Sequence, residues 1–278
     1  MSFVDLHAHS LYSDGTYTPE KLIETAHKMG LKAIALTDHE SCEGVAAAAQ
    51  RAKELDIDFV PGIEMTTSFE GVGMDILGLF IKNPALFTDI QNKSRVVRTA
   101  QVLDIIESLK KLGYDLNFDE LDDRQKTAPF PGHLALLMCK KGFAPDPKEA
   151  DKVLNRIYAK DKTYLKKYKS DFQEVVDLIH KAGGIAILAH PYRMRLKDEK
   201  SFNIIQKLQN TGIDGIECYH SGQSLEQTGF YLKIAKNLGL KITGGSDFHG
   251  DFKPGCFLGK GYSDTPYVPY SVYQDLIK

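Results

Sequence analysis

The feature that most restricts this chain is an alternation. Short apolar runs, LKAIALTD (31–38), IDFVPGIEM (57–65), GIAILAH (184–190), GIECY (215–219) and KITGGSD (241–247), are separated by stretches with helical spacing. Continuous apolar runs of this length suit strands covered on both faces, the situation inside a parallel α/β sheet. The helices carry their own start and stop signals. Thr18 followed by Pro19 reads as an N-cap with proline at the first helical position. Leu22, Ile23 and Ala26 make the buried stripe, and Gly30 ends the helix. A second helix is expected from about Cys42 to Leu55. Ser170 with Gln173, and Ser224 with Gln227, read as capping boxes. Roughly seven strands joined by helices imply parallel pairing with right-handed crossovers, in a barrel or an open sheet.

One region breaks the alternation. From about residue 83 to 170 the spacing is mostly helical, with SRVVRTAQVLDIIESLKKLG near its start, and no clear βα rhythm is visible. The expected organisation is therefore an α/β unit of residues 1–82 and 171–278 interrupted by a helical insertion at 83–170.

Polar residues collect at strand ends. His7 and His9 follow the first strand, Asp38 and His39 the second and Glu64 the third, while Asp75 lies within the fourth. His190, His220, and the pair Asp247 and His249 end the last three. One histidine in such a place is commonly structural. Their repetition matters because the carboxyl ends of parallel strands meet on one face, where active sites form. Imidazole mixed with carboxylate suits zinc, manganese or iron, whereas calcium prefers an all-oxygen shell. The donors outnumber what one tetrahedral ion needs, so two or three ions a few ångströms apart are expected. Such a centre activates water and orients a phosphoryl group.

The ordered segments DLHAHSLYSDG, ALTDHE, PGIEM, LAHPYR and GGSDFHG resemble the PHP (polymerase and histidinol phosphatase) metallohydrolases, and within them the TrpH-like phosphoesterases. The resemblance implies a distorted seven-stranded (β/α) barrel of the PHP type, with two or three divalent ions and a helical insertion over the active-site mouth. It implies that His7, His9, Glu64 and Asp247 hold one ion, and that Glu64 bridges to a second held by His190. A third would be held by Asp14, His39 and His249. Asp75 stands where the family pattern HxLG has a histidine. Asp5 matches no ligand position. Asp5 and Asp38 are expected either to orient neighbouring imidazoles or to make structural bonds at the strand ends.

Substrate contacts are expected from Arg193, three residues past His190, because a guanidinium fork matches phosphate oxygens. His133, in PFPGHLALL, resembles the histidine of the branch's RPH segment, although the arginine of that segment is absent. Arg124, Lys126 or Lys140 could replace it. His220 and Ser221 are further candidates.

The resemblance implies a small phosphorylated substrate, above all a nucleoside 3′,5′-bisphosphate or the 5′ end of a short oligonucleotide. A histidinol-phosphatase-like enzyme and a non-catalytic metal-binding sensor are the alternatives. Net charge narrows this further. At −2 over 278 residues the chain lacks the Lys/Arg excess of a surface built for long nucleic acid. Four scattered cysteines without a CxxC pair fit a reducing compartment. With no basic apolar leader and no membrane-length apolar run, a cytoplasmic protein is expected.

Overall fold

The computed structural model describes residues 2–160, 170–262 and 267–278. Among the described residues nine strands form one sheet: β1 (Phe3–Asp5), β2 (Ala33–Leu36), β3 (Asp58–Phe69), β4 (Val72–Leu79), β5 (Ser170–Asp171), β6 (Ile185–Leu188), β7 (Gly215–His220), β8 (Lys241–Gly245) and β9 (Val268–Pro269). The order is β8-β7-β6-β4-β3-β2-β1-β9, with β5 set against β3. The ends of this order then meet. The Leu6 N–H donates to the Gly244 carbonyl at 3.0 Å, and the Asp247 N–H donates to the His7 carbonyl at 2.9 Å. The result is a distorted, nearly closed β-barrel with helical insertions.

Closure requires β1 and β8 to approach closely, and Gly245 permits it. A Cβ built there would lie 2.4 Å from the His7 Cβ. The glycine therefore sits against a histidine of the site described below.

Helices α1 (Pro19–Lys28) and α2 (Val45–Glu54) cover β2. The Thr18 hydroxyl accepts the Lys21 N–H, as its N-cap position requires. Period-two alternation sorts β2. Ile34 and Leu36 pack with Leu22, Ile23 and Ala48 outside, while Ala33 and Ala35 face inward to Val60, Leu77, Leu79 and Ile187. Glu64 lies four residues beyond Val60, and Asp75 two before Leu77, so both share the inward face. Their carboxylates stand above an apolar barrel floor.

Two sequence expectations need correction. The strands are not all parallel: β4 runs antiparallel to both β3 and β6. Glu70 and Gly71, both with positive φ, link β3 to β4 in a two-residue hairpin turn that matches strand twist. The reversal explains why Asp75 lies early in its strand, because the start of β4 is at the same end of the barrel as the finish of β3. The helix α7 (Phe172–Lys181) is capped by Asp171, which accepts the Gln173 and Glu174 N–H groups. Ser170 instead pairs with Thr67 in the sheet.

Between β4 and β5 the chain is helical where described: α3 (Thr88–Lys111), α4 (Asp123–Thr127), α5 (Pro131–Lys140) and α6 (Pro147–Lys160). Residues 161–169, also expected to be helical, lie outside the described residues. Val102, Ile106, Leu109, Leu134, Met138 and Leu154 form a core here distinct from that of the barrel. Helices α8 (Asp198–Asn210), α9 (Leu225–Leu238) and α10 (Tyr270–Leu276) complete the outer layer. Ser224 and Gln227 cap α9 reciprocally. No helix among the described residues is long and apolar enough to cross a membrane.

Candidate metal centre

The strand-end residues converge. His7, His9 and Glu64 are 0% exposed and Asp247 is 2% exposed. The His7 Nε2 lies 3.1 Å from the His9 Nε2 and 3.2 Å from Glu64 Oε2. The His9 Nε2 is 3.2 Å from Glu64 Oε2 and 3.3 Å from Asp247 Oδ1, which is 3.6 Å from the His7 Nε2. Four donors each about 2.1 Å from one tetrahedral ion would be about 3.4 Å apart. The five distances here cluster about that value. Two imidazole nitrogens and two carboxylate oxygens turned toward one point, out of water, fit a divalent ion.

A second group shares Glu64. Its Oε1 lies 2.8 Å from the His190 Nε2, which is 3.7 Å from Asp75 Oδ2. A third group is formed by His9, Asp14, His39 and His249. Asp14 Oδ1 lies 3.2 Å from the His249 Nε2, and Asp14 Oδ2 lies 3.9 Å from the His39 Nε2. Asp14 Oδ1 is buried without a hydrogen-bond partner, as a donor awaiting an ion would be, and the equally unpartnered His39 Nδ1 faces Glu64 Oε2 at 3.4 Å. Multiple metal-binding clusters are thus contiguous at one end of the barrel.

The neighbouring atoms fix which nitrogens are free. Glu217 Oε1 can only accept, so the His7 Nδ1 donates to it at 3.0 Å and Nε2 is the nitrogen turned to the cluster. The His249 Nδ1 likewise donates to the Asp247 carbonyl at 2.8 Å, leaving its Nε2 for Asp14's side. Glu217 Oε2 also accepts the His190 N–H at 2.6 Å. That bond holds His190 at φ 26°, a sparsely populated backbone conformation, and Asp247 has φ 55°.

Charge follows the same geometry. Burial alone would lower the His7 pKa, but Glu217 and Glu64 outweigh it and hold the ring well above the imidazole range. Burial opposes the His9 charge as well, yet Asp247, Glu64 and Asp14 push its pKa up to about 9. Burial raises Glu64, and His39, His7 and His190 overcome it, leaving this carboxyl well below its usual range. For Asp247 the opposing charges are Lys253, Arg193 and His249, with the same outcome.

The remaining candidates divide. The Arg193 Nη2 is 2.8 Å from Asp247 Oδ2, and its side chain is 44% exposed. The His220 Nδ1 accepts the Gly222 N–H, so the proton is on Nε2, 3.4 Å from Asp247 Oδ2. Ser221 is buried beside it and hydrogen-bonds Cys256. The His133 Nδ1 accepts the Phe130 N–H, and its ring also hydrogen-bonds the Ser13 backbone. His133 therefore ties α5 to the loop that carries Asp14. Asp38 accepts from Ser10 and Ser13 on that same loop, and Asp5 accepts from Ser246 and Gly259. Both are structural fasteners. Arg124 lies over the Tyr12 ring, 5.5 Å from its centroid, and Lys126 pairs with Asp123.

Two participants escaped sequence reasoning. Glu217 was hidden inside an apolar strand, where a lone acid could have been read as a partner for a buried base. Lys253 belongs to no motif; its Nζ lies 2.7 Å from Asp247 Oδ2.

Fused histidine–carboxylate clusters at one end of a distorted α/β barrel define a metal-dependent hydrolase of small phosphate esters. The chain belongs to the PHP domain family, which it matches over residues 5–226. It is 32% identical to a 5′-3′ exoribonuclease of Haemophilus influenzae over 88% of this chain and 89% of that protein. It is 28% identical to the 3′,5′-nucleoside bisphosphate phosphatase of Chromobacterium violaceum over 99% and 97% respectively. The crystal structure of a proposed metal-dependent phosphoesterase from Bifidobacterium adolescentis superposes with a TM-score of 0.78 at 27% identity, covering 99% of this chain and 96% of that one.

Proposed function

We propose that this chain is a TrpH-like phosphoesterase that removes phosphate from a nucleoside 3′,5′-bisphosphate or from the 5′ end of a short oligonucleotide. The observation that carries this reading is Arg193, its side chain 44% exposed, at the rim of three clusters linked by Glu64 and His9. A phosphate there would meet a cationic fork and the ions together. Two similar proteins, from Haemophilus influenzae and Chromobacterium violaceum, are named for nucleotide substrates of these kinds.

In this reading His7, His9, Glu64 and Asp247 hold one ion, Glu64, Asp75 and His190 a second, and Asp14, His39 and His249 a third. Manganese, zinc or iron bound there would polarise a phosphoryl oxygen and make water nucleophilic near neutral pH. The chain's own side chains do the rest. Glu217 keeps the proton of His7 on Nδ1. The His220 Nε2–H and Arg193 offer donors to phosphoryl oxygens. The apolar floor formed by Val60, Leu77 and Ile187 keeps bulk water from beneath the ligands.

Residues 83–170 act as a cap that limits substrate size. In support, Phe130 stacks on His39 at 5.9 Å and Arg98 pairs with Glu40 at 3.1 Å. A cleft of about 200 Å³ lined by Tyr12, Glu43, Arg95, Arg124 and Thr127 adjoins this cap. Arg124 lies over the Tyr12 ring and Arg95 pairs with Glu43, and the two guanidinium groups offer donors to an oligonucleotide's phosphates. The four free cysteines accord with a cytoplasmic site of action.

The deciding experiment supplies manganese, zinc or iron to the purified protein. It is then offered nucleoside bisphosphates, 5′-phosphorylated di- to pentanucleotides, mononucleotides and histidinol phosphate. Phosphate release from the first two groups, abolished in Glu64→Gln, is expected. Metal-loaded protein that leaves every ester intact would overturn the reading in favour of a metal-binding sensor.

A further inference from the structure

The loop following β8 brings a cation back over the site. Lys253, six residues beyond Asp247, places its Nζ 2.7 Å from Asp247 Oδ2 and 3.3 Å from the Asp247 carbonyl. The same Oδ2 receives the Arg193 Nη2 at 2.8 Å and faces the His220 Nε2 at 3.4 Å. Oδ1 of that carboxylate points elsewhere, 3.3 Å from the His9 Nε2 and 3.6 Å from the His7 Nε2. One face of Asp247 thus belongs to the ions and the other to three donors.

Those donors exceed what the oxygen can accept. A carboxylate oxygen has about two lone-pair sites, whereas an ammonium carries three N–H groups and a guanidinium five. The imbalance is visible at His220. The Gly222 N–H occupies its Nδ1, and the buried Nε2, 3.4 Å from the crowded Asp247 Oδ2, makes no well-formed hydrogen bond. A buried donor left unmade is costly, so an acceptor is missing from this corner. Lys253 is 21% exposed and Arg193 44%, so the corner is open to a ligand from solvent. A tetrahedral anion with several charged oxygens supplies what is lacking.

We propose that Lys253 joins Arg193 and His220 as a seat for the non-bridging phosphoryl oxygens, assembled around Asp247 Oδ2. This deepens the phosphoesterase reading and rests on it for the identity of the anion.

Inorganic phosphate is the probe. In metal-loaded protein, Lys253→Met is expected to weaken phosphate binding by about tenfold or more and to raise KM more than it lowers kcat. Metal content by mass spectrometry should equal that of the wild type, and Lys253→Arg should recover most of the binding. Lys253→Gln provides a second neutral variant should Lys253→Met fold poorly. Unchanged phosphate binding in the neutral variants overturns the seat. So does phosphate binding that falls only in step with lost metal, because Lys253 would then serve Asp247 alone. If the wild type hydrolyses no ester yet binds phosphate through Lys253, the functional reading fails and the seat stands.

Discussion

The metal centre has two unlike sides. Among His7, His9, Glu64 and Asp247 every donor is sealed in protein, His7 is held by Glu217, and the neighbouring His249 is held by a backbone carbonyl. Around His190 the donors are richer in carboxylate. Asp75 is 20% exposed and opens on a cavity shared with Arg193 and Met194. Glu64 belongs to both, with one oxygen on each side. A closed side defines position and an open side leaves room for something to arrive, the division expected when structural and substrate-facing coordination meet at one shared ligand.

That contrast can be broken most severely at its hinge. Glu64→Gln removes a charge from both sides, and a loss of kcat/KM beyond about 100-fold is expected, with metal content reduced in both groups. Glu217→Gln should act on the closed side. It leaves a donor where the His7 Nδ1–H needs an acceptor, so metal affinity should fall about 10- to 100-fold, measured by titration calorimetry. Asp75→Asn confines the damage to the open side. One metal equivalent should weaken by about tenfold while the ion among His7, His9, Glu64 and Asp247 is retained, as read by metal analysis after dialysis. Asp75→His should restore that equivalent and shift its preference from manganese toward zinc. Equal losses on both sides in Asp75→Asn would erase the distinction.

The closed side was the more legible in the sequence. His7 and His9 follow the first strand and the residues ending later strands repeat the pattern, so their strand-end positions gather them on one face. The open side depends on a reversal that apolar runs do not encode. With β4 drawn parallel, Asp75 would lie too early in its strand to reach His190. The Glu70-Gly71 hairpin was the available clue. Glu217 was missed because alternation assigns a strand acid to solvent as readily as to a barrel interior. Lys253 was missed because a lysine in a loop has no periodicity at all. Ser170 and Asp171 show the ordinary margin of error at a helix start, where two adjacent residues can both cap.

The residue after His39 has a broader significance. Glu40 adopts φ 47°, is 8% exposed, and accepts from the Thr66 N–H, from Ser94 and from Arg98, the last two on α3. One side chain therefore joins the helical segment to the backbone that aims His39. Free-energy coupling through such a joint is reciprocal. If ion binding steadies His39, it must tighten the seating of α3 by the same amount, and a substrate that presses α3 home must tighten the ions. Amide exchange along α3 should therefore slow when metal is added, and that slowing should vanish in Arg98→Met.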